Sequence, residues 1–394
     1  DLTSPTLTRQ VPDKMSVIGG NVLGRWTHTF SDTSDVKLQL YYDRTERGAF
    51  VFGERRDTVD FDAQHSFALG ERNAVTWGLG YRLSSDQTDK NKPVTFTPAN
   101  DTLNLFSTFA QDDVTVMPDR LKVTLGTKVE HNDFTGWELE PGGRIAFTPD
   151  ERNTLWVSVS RSVRTPARAD EGVHLDQIKP TPFGPAVLGI SGNPDFESEK
   201  LMAYEAGYRV HPCDKASFDL AAFYNMYSDL RSLELQPGFP LIPATIGNGL
   251  YGNTYGIEAT VTLEVQPWWR LTPTYSLLKE ELHARRSSTD TISVAQQEGQ
   301  DPQQQFSLRS AMDLPHNISL DATLRYVDAL PSLQVPSYVT ADARVAWRPN
   351  KRLEFALVGQ NLFEPRHAEF RPTFVQTEPS DVPRSFYVKV TWHF

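Results

Sequence analysis

Between Pro166 and Ser198 the chain gathers Arg168, Asp170, Glu171, His174, Asp176 and Phe183: charges, one imidazole and one aromatic ring within a single irregular stretch. Two chemistries suit such a set, polar capture of a small ligand or ligation of a metal ion by His174 with Asp170 and Asp176. Metal sites draw on three or four convergent donors, and one histidine on a flexible loop is a poor start, so neither metal nor cofactor is expected. His283, Arg285 and Arg286, and farther on Arg366, His367, Phe370 and Arg371, form two more groups able to meet an anionic ligand. Phe239, Leu241 and Ile242 offer an apolar contact surface. For any one of these residues the plainer role is that of a solvated loop side chain. Covalent catalysis has no foothold, because no G-x-S-x-G elbow and no H-E-x-x-H pair occurs. The chain is not expected to be an enzyme.

The segments between these clusters must hold them, and they alternate. Phe386, Val388, Val390, Trp392 and Phe394 share one side of the last eleven residues, with Tyr387, Lys389, Thr391 and His393 on the other. A strand has a side-chain period of two, so this is a strand with one apolar and one polar face. Val75, Trp77, Leu79, Tyr81 and Leu83 repeat the pattern, as do Tyr255, Ile257, Ala259, Val261, Leu263 and Val265 against Glu258, Thr260, Thr262 and Glu264. Short turn compositions, such as Gly70 to Asn73, Met117 to Arg120 and Pro349 to Lys351, are interleaved with longer connections. The long ones are expected near Ala49–Arg55, Asp86–Asn100, Pro166–Ser198, Pro237–Gly249, His283–Asp301 and Arg371–Val382. About seventeen strands fit between the turns, most with the roughly 9–11 residues that cross a bilayer when tilted.

Hydrophobic residues make up 39% of the 394, and no stretch approaches the ~20 apolar residues of a membrane helix. A transmembrane barrel escapes hydropathy, because half of each strand faces a polar lumen. A soluble sandwich also alternates, but its strands average about 5–6 residues. Trp26, Tyr42, Trp268, Trp269, Tyr338 and Trp347 moreover fall near strand ends, where interfacial aromatics belong. The expected fold is all-β, a transmembrane antiparallel up-and-down β-barrel. Its lumenal carboxylates Glu205, Asp219, Glu258, Glu264, Asp321, Asp342 and Glu354 should pair with Lys200, Arg209, Arg325, Arg344 and Lys389 across strands. A net charge of −11 argues against nucleic acid, and the single Cys213 excludes a disulfide framework. An odd strand count conflicts with the even numbers of bacterial barrels, so chain is expected to precede Asp1.

Several ordered segments resemble the TonB-dependent outer-membrane receptors. Ser158 to Pro166 is similar to the strand end that opens their large mid-barrel loop, and Gly192 to Glu199 followed by Tyr204 to Tyr208 looks like their GNP and YE-x-G-Y signature. Gly256 to Glu258, Val335 to Tyr338 with Asp342, Gln360 to Phe363 and Trp392 to Phe394 resemble their closing strands. The resemblance implies a barrel of twenty-two strands holding an N-terminal plug. Neither plug nor TonB-contacting segment is recognisable, so residues 1–394 are read as a C-terminal barrel portion without plug or first strands. It further implies a monomeric Gram-negative outer-membrane receptor, in contact with lipid and lipopolysaccharide. Such a receptor captures a scarce solute on long extracellular loops and imports it with energy from the TonB complex. A metal chelate, foremost a ferric siderophore, is the expected ligand, with haem, cobalamin or a glycan behind it. Arg168, His174, Phe183, Phe239, Arg285, Arg286 and Arg371 are the loop residues expected to touch it. The alternative is a passive porin-like or adhesive barrel.

Overall fold

The computed structural model describes residues 14–181, 184–373 and 379–393. Its strands run in chain order as β1 (Ser16–Ser31), β2 (Ser34–Gly48), β3 (Gly53–Leu69), β4 (Asn73–Thr88), β5 (Val94–Phe96), β6 (Asn100–Met117), β7 (Leu121–Asn132) and β8 (Gly136–Asp150). Then come β9 (Asn153–Arg164), β10 (Val173–Thr181), β11 (Gly184–Ser191), β12 (Glu199–Cys213), β13 (Ala216–Leu235), β14 (Leu241–Gln266) and β15 (Trp269–Ala284). The last are β16 (Gln304–Leu314), β17 (Ile318–Val327), β18 (Tyr338–Asn350), β19 (Leu353–Gln360), β20 (Arg366–His367), β21 (Val382–Pro383) and β22 (Ser385–Trp392). Two five-residue helices, α1 (Arg168–Gly172) and α2 (Ser293–Gln297), lie in connections.

Twenty strands share one sheet. Three of them, β5, β10 and β11, stand apart, and the other seventeen each pair with the next in antiparallel order from β1 to β22. The seventeen expected from the sequence are thus the wall. One rim carries only tight turns, such as residues 32–33, 70–72, 118–120, 214–215 and 267–268. The opposite rim carries every long connection, at 89–99, 165–198, 285–303, 328–337 and 361–384.

Some connections differ from expectation. Pro237–Gly249 is mostly strand, since β14 begins at Leu241 and its first residues pair with both β13 and β11. Proline and glycine there read locally as turn, but pairing on two sides overrides composition. Pro166–Ser198 is not irregular either, for it folds as α1 followed by the hairpin β10–β11. The connection 328–337 was not foreseen.

Apolar residues point out of the wall. Leu40, Phe61, Tyr81 and Phe106 occupy successive paired positions, and each is more than a third exposed. No second sheet covers this face among the described residues, so it suits lipid and not a dry sandwich core. Tyrosines edge the band toward the long-loop rim, each hydroxyl donating to an acceptor nearer that rim: Tyr42 to Asp57 at 2.7 Å, Tyr81 to Asn104 at 2.8 Å, Tyr255 to Glu281 at 2.9 Å. Toward the turn rim Trp26, His28, Phe30, His65 and Trp77 form a chain of ring contacts. An apolar ring with one polar tip fits the boundary between hydrocarbon and water.

The inner face is charged and paired. Arg209 donates to Asp219 at 2.6 Å, Arg325 to Asp342 at 2.7 Å and Arg344 to Asp321 at 3.0 Å, while Glu354 joins Arg344 to Arg348. Apart from the Arg348 contact, these pairs were expected. Glu205 instead accepts the Ser158 hydroxyl, and Lys200 pairs with Glu197 and Asp229. Among the described residues Glu258, Glu264 and Lys389 have no ion pair.

Candidate functional site

The driest part of the chain lies at the long-loop rim. β10 pairs with β5 in the connection after β4, and β11 runs parallel to the start of β14, so one ribbon ties two distant parts of the wall. Val173, Leu188, Ile190, Phe196, Ala244 and Ile246 form its core, backed by Val94, Phe96 and Leu233. Alternation within the hairpin explains it: Val173 and Leu175, then Ala186, Leu188 and Ile190, turn to one side and are buried. α1 closes the end of this roof, and Gly172 is required there, since a Cβ would fall 2.5 Å from the Thr97 carbonyl oxygen.

Arg168 sits beneath the roof, only 8% exposed. Its Nε donates to Asp86 at 3.1 Å, its Nη1 to Asp101 at 2.9 Å and its Nη2 to the Pro98 carbonyl at 2.6 Å. Asp170 accepts from the Ala167 backbone at 2.9 Å and from Arg164 at 3.0 Å, capping α1. Neighbouring Glu171 has no such cation to itself. Burial, together with the negative Asp101 and Asp170, pushes its carboxyl up to about 7, against the pull of Arg168.

Below α1 a cavity of about 430 Å³ opens against the inner wall of β2, β3, β4, β6 and β7. Arg47, Arg56, Arg82, Glu54 and Asp86 supply polar groups, and Phe52, Phe96 and Phe134 supply rings. None of these residues was singled out from the sequence. They arrive from β2, β3, β4, β5 and two connections, and the one local signal was the run of arginines from Arg44 to Arg56. A second cleft, of about 560 Å³, lies on the hairpin between Lys92, His174, Asp176, Leu241 and Pro243.

The candidate loop residues do not meet at one point. His174 faces Ser191 at 3.3 Å and lines the second cleft, while Phe183 lies outside the described residues. Phe239 is 59% exposed at the tip between β13 and β14. Arg285 donates to Asp229 at 2.6 Å, Arg286 is exposed, and Arg371 pairs with Asp381 at 3.4 Å on another part of the rim. The connection after β15 is clamped down. Asp290 accepts backbone N–H groups of Leu233, Ile292 and Ser293; burial opposes it, yet these donors hold its carboxyl below the usual range. A small separate core of Leu330, Leu333, Val335 and Ala368 joins the connections after β17 and β19, beside a buried His367 that stacks on Tyr338.

Comparison with known proteins agrees with this architecture. Residues 9–362 match the family model described as TonB dependent receptor-like, beta-barrel. The Ferric enterobactin receptor of Pseudomonas aeruginosa is 24% identical over 305 residues, which is 66% of this chain and 38% of that protein. A crystal structure of a mutant ferric enterobactin receptor, PfeA, from the same organism superposes with a TM-score of 0.75 at 16% identity, over 97% of this chain and 62% of that one. The siderophore receptor PirA of P. aeruginosa gives 0.74 at 13%, over 97% and 65%. The Ferric-Catecholate import receptor Fiu of E. coli K12 gives 0.73 at 13%, over the same shares. This chain therefore spans less than two thirds of the length of these relatives. With the family model covering most of its residues, the chain belongs to the TonB-dependent receptor-like β-barrel family.

Proposed function

We propose that the protein carrying this chain captures a ferric siderophore at the long-loop rim and imports it across the outer membrane of a Gram-negative cell. The observation that carries the reading is the two-faced wall, apolar outside and charge-paired inside, closed at one rim by folded connections with polar cavities. Family membership and relatives named for ferric enterobactin and ferric catecholates support it. The long connections face the medium. Energy comes from the TonB complex, and the protein works as a monomer among lipid and lipopolysaccharide. No bond is made or broken in the solute.

Within this reading Phe239, Arg286 and His174 are exposed enough to make the first contact, and Arg285 and Arg371 add cations beside their acids. Arg168 acts from below, holding the roof in the shape the ligand meets. Uptake of radioactive iron tests the reading, using a strain stripped of its own ferric siderophore receptors and given the complete gene. Accumulation of iron from a ferric catecholate, abolished when TonB is absent, is the expected result. A correctly inserted receptor that takes up iron from no siderophore overturns it.

A further inference from the structure

The inner face of the wall strands from β16 to β22 carries a run of cations that capture at the rim does not use. Arg325 on β17 stands level with Thr340, Arg309 with Thr323 and Arg344 with Asp321, so three guanidinium groups descend toward the turn rim in steps of two residues. Two residues are roughly 7 Å of strand. Arg348 follows beyond the Ile318–Trp347 pair, next to the tight turn that holds Lys351 and Arg352. Lys389 of β22, level with Ala356 of β19, joins them and has no ion pair among the described residues.

Acids alternate with these cations but lie behind them. Asp342 holds Arg325 at 2.7 Å, Asp321 holds Arg344 at 3.0 Å and Arg309 at 3.7 Å, and Glu354 holds Arg344 at 2.5 Å and Arg348 at 2.6 Å. Arg309 and Arg348 leave 64% and 63% of their side chains exposed, whereas Asp321 and Glu354 expose 30% and 12%. Asp313, at the turn-rim end of β16, is the remaining acid of this face. What a solute in the lumen meets is therefore the unused N–H groups of guanidinium, which suit the oxygens of an anion. Each arginine is partly neutralised by its acid, so no single one holds an anion tightly. Passage requires this, because a charged lining must be favourable enough to enter and weak enough to leave, and repeated sites supply both.

We propose that Arg325, Arg309, Arg344, Arg348 and Lys389 form a track on the inner wall along which an anionic solute passes to the turn rim. The inference rests on the import reading only for the direction of travel. Replacing Arg309→Gln, Arg348→Gln and Lys389→Gln together weakens the track while Asp321 and Glu354 both keep Arg344, so neither acid is stranded. Heat-modified electrophoretic mobility checks that this triple variant is folded. Ser319→Cys, in a Cys213→Ser background freed of any other cysteine, places a thiol beside Arg344, which lies 3.4 Å from the serine hydroxyl. In the complete receptor in detergent, a negatively charged methanethiosulfonate should modify Ser319→Cys about tenfold faster than a positively charged one of similar size, and the triple replacement should erase the difference. Equal rates without the triple replacement, which would mean that the cations are spent on acids of the wall or of another part of the receptor, or a preference that survives it, would overturn the track. In cells given the complete gene, the triple replacement should lower the maximal rate of iron uptake from a negatively charged ferric chelate about fivefold, with affinity at the cell surface unchanged. An unchanged rate, or uptake of uncharged chelates alone, overturns it as well. Uptake of no chelate while the reagent preference holds removes the import reading and leaves an anion-binding wall.

Discussion

Arg168 illustrates how a side chain chosen for ligand capture can be occupied with the fold. Its guanidinium holds Asp86 at the end of β4, the Pro98 carbonyl in the connection that follows and Asp101 at the start of β6, while lying over the Phe96 ring, so it fastens α1 to that corner of the rim. Arg168→Met keeps much of the volume but strands Asp86 and Asp101. Removing one partner of a buried ion pair costs about 3–5 kcal/mol. Hydrogen exchange of residues 166–191 should therefore quicken sharply in the variant, while the wall strands exchange as before; equal protection in both proteins would deny the tie. Glu171 adds a pH dependence to the same corner. Its folded carboxyl titrates near 7, above an unfolded value near 4.5, so the folded state binds the extra proton between those limits. Roof stability should be full below about 4.5 and fall as pH rises through 7. Glu171→Gln should slow roof exchange at pH 8 by an amount worth about 2 kcal/mol at most, and the advantage should fade toward pH 4.5. An advantage of equal size at both ends would rule out titration of Glu171 as its source.

Strands and roof depend on different solvents, and their core mutations should separate accordingly. Phe196 is 2% exposed at the centre of the roof core, so Phe196→Ala should cost about 3–5 kcal/mol there and loosen the hairpin without unfolding the wall. Leu79 faces outward, and Leu79→Arg at mid-bilayer should cost about 2–4 kcal/mol, whereas Ser107→Lys on the inner face of the adjoining strand lies near Glu130 and should be tolerated. Heat-modified electrophoretic mobility of the complete receptor distinguishes the two; equal tolerance would contradict the assigned faces. The wall was legible because period-two patterning survives wherever one face is lipid and the other water, as in Val75 to Leu83. β14 was misread at its start because Pro243, Gly247 and Gly249 carry turn composition, and only its partners β11 and β13 make it a strand. The hairpin β10–β11 did show alternation, but its glycines and prolines masked it. The cavity residues were illegible for a deeper reason: Phe52, Arg56, Arg82 and Phe134 come from separate strands and connections that only strand pairing brings side by side, and beyond the arginines around Arg56 nothing in their own neighbourhoods marks them.

At the scale of the whole molecule, the asymmetry of the two rims fixes a direction. Outer-membrane barrels carry short turns on the periplasmic side and longer loops outside, so the tight-turn rim is expected in the periplasm and the folded connections outside. Cys213 can report on this, for it is the only cysteine of these 394 residues and lies exposed at the turn rim, at the end of β12; any cysteine elsewhere in the full receptor is replaced by serine first. A thiol reagent that cannot cross membranes should leave Cys213 untouched on intact cells and modify it once the outer membrane is opened. Phe239→Cys, placed at the exposed tip between β13 and β14 in a Cys213→Ser background, should react on intact cells at once. The pair matters because neither result alone excludes a buried or misfolded thiol. Were Cys213 to react on intact cells while the Phe239→Cys site stayed silent until lysis, the barrel would stand the other way up, and the cavity beneath α1 would face the periplasm, where it could not receive a solute from outside.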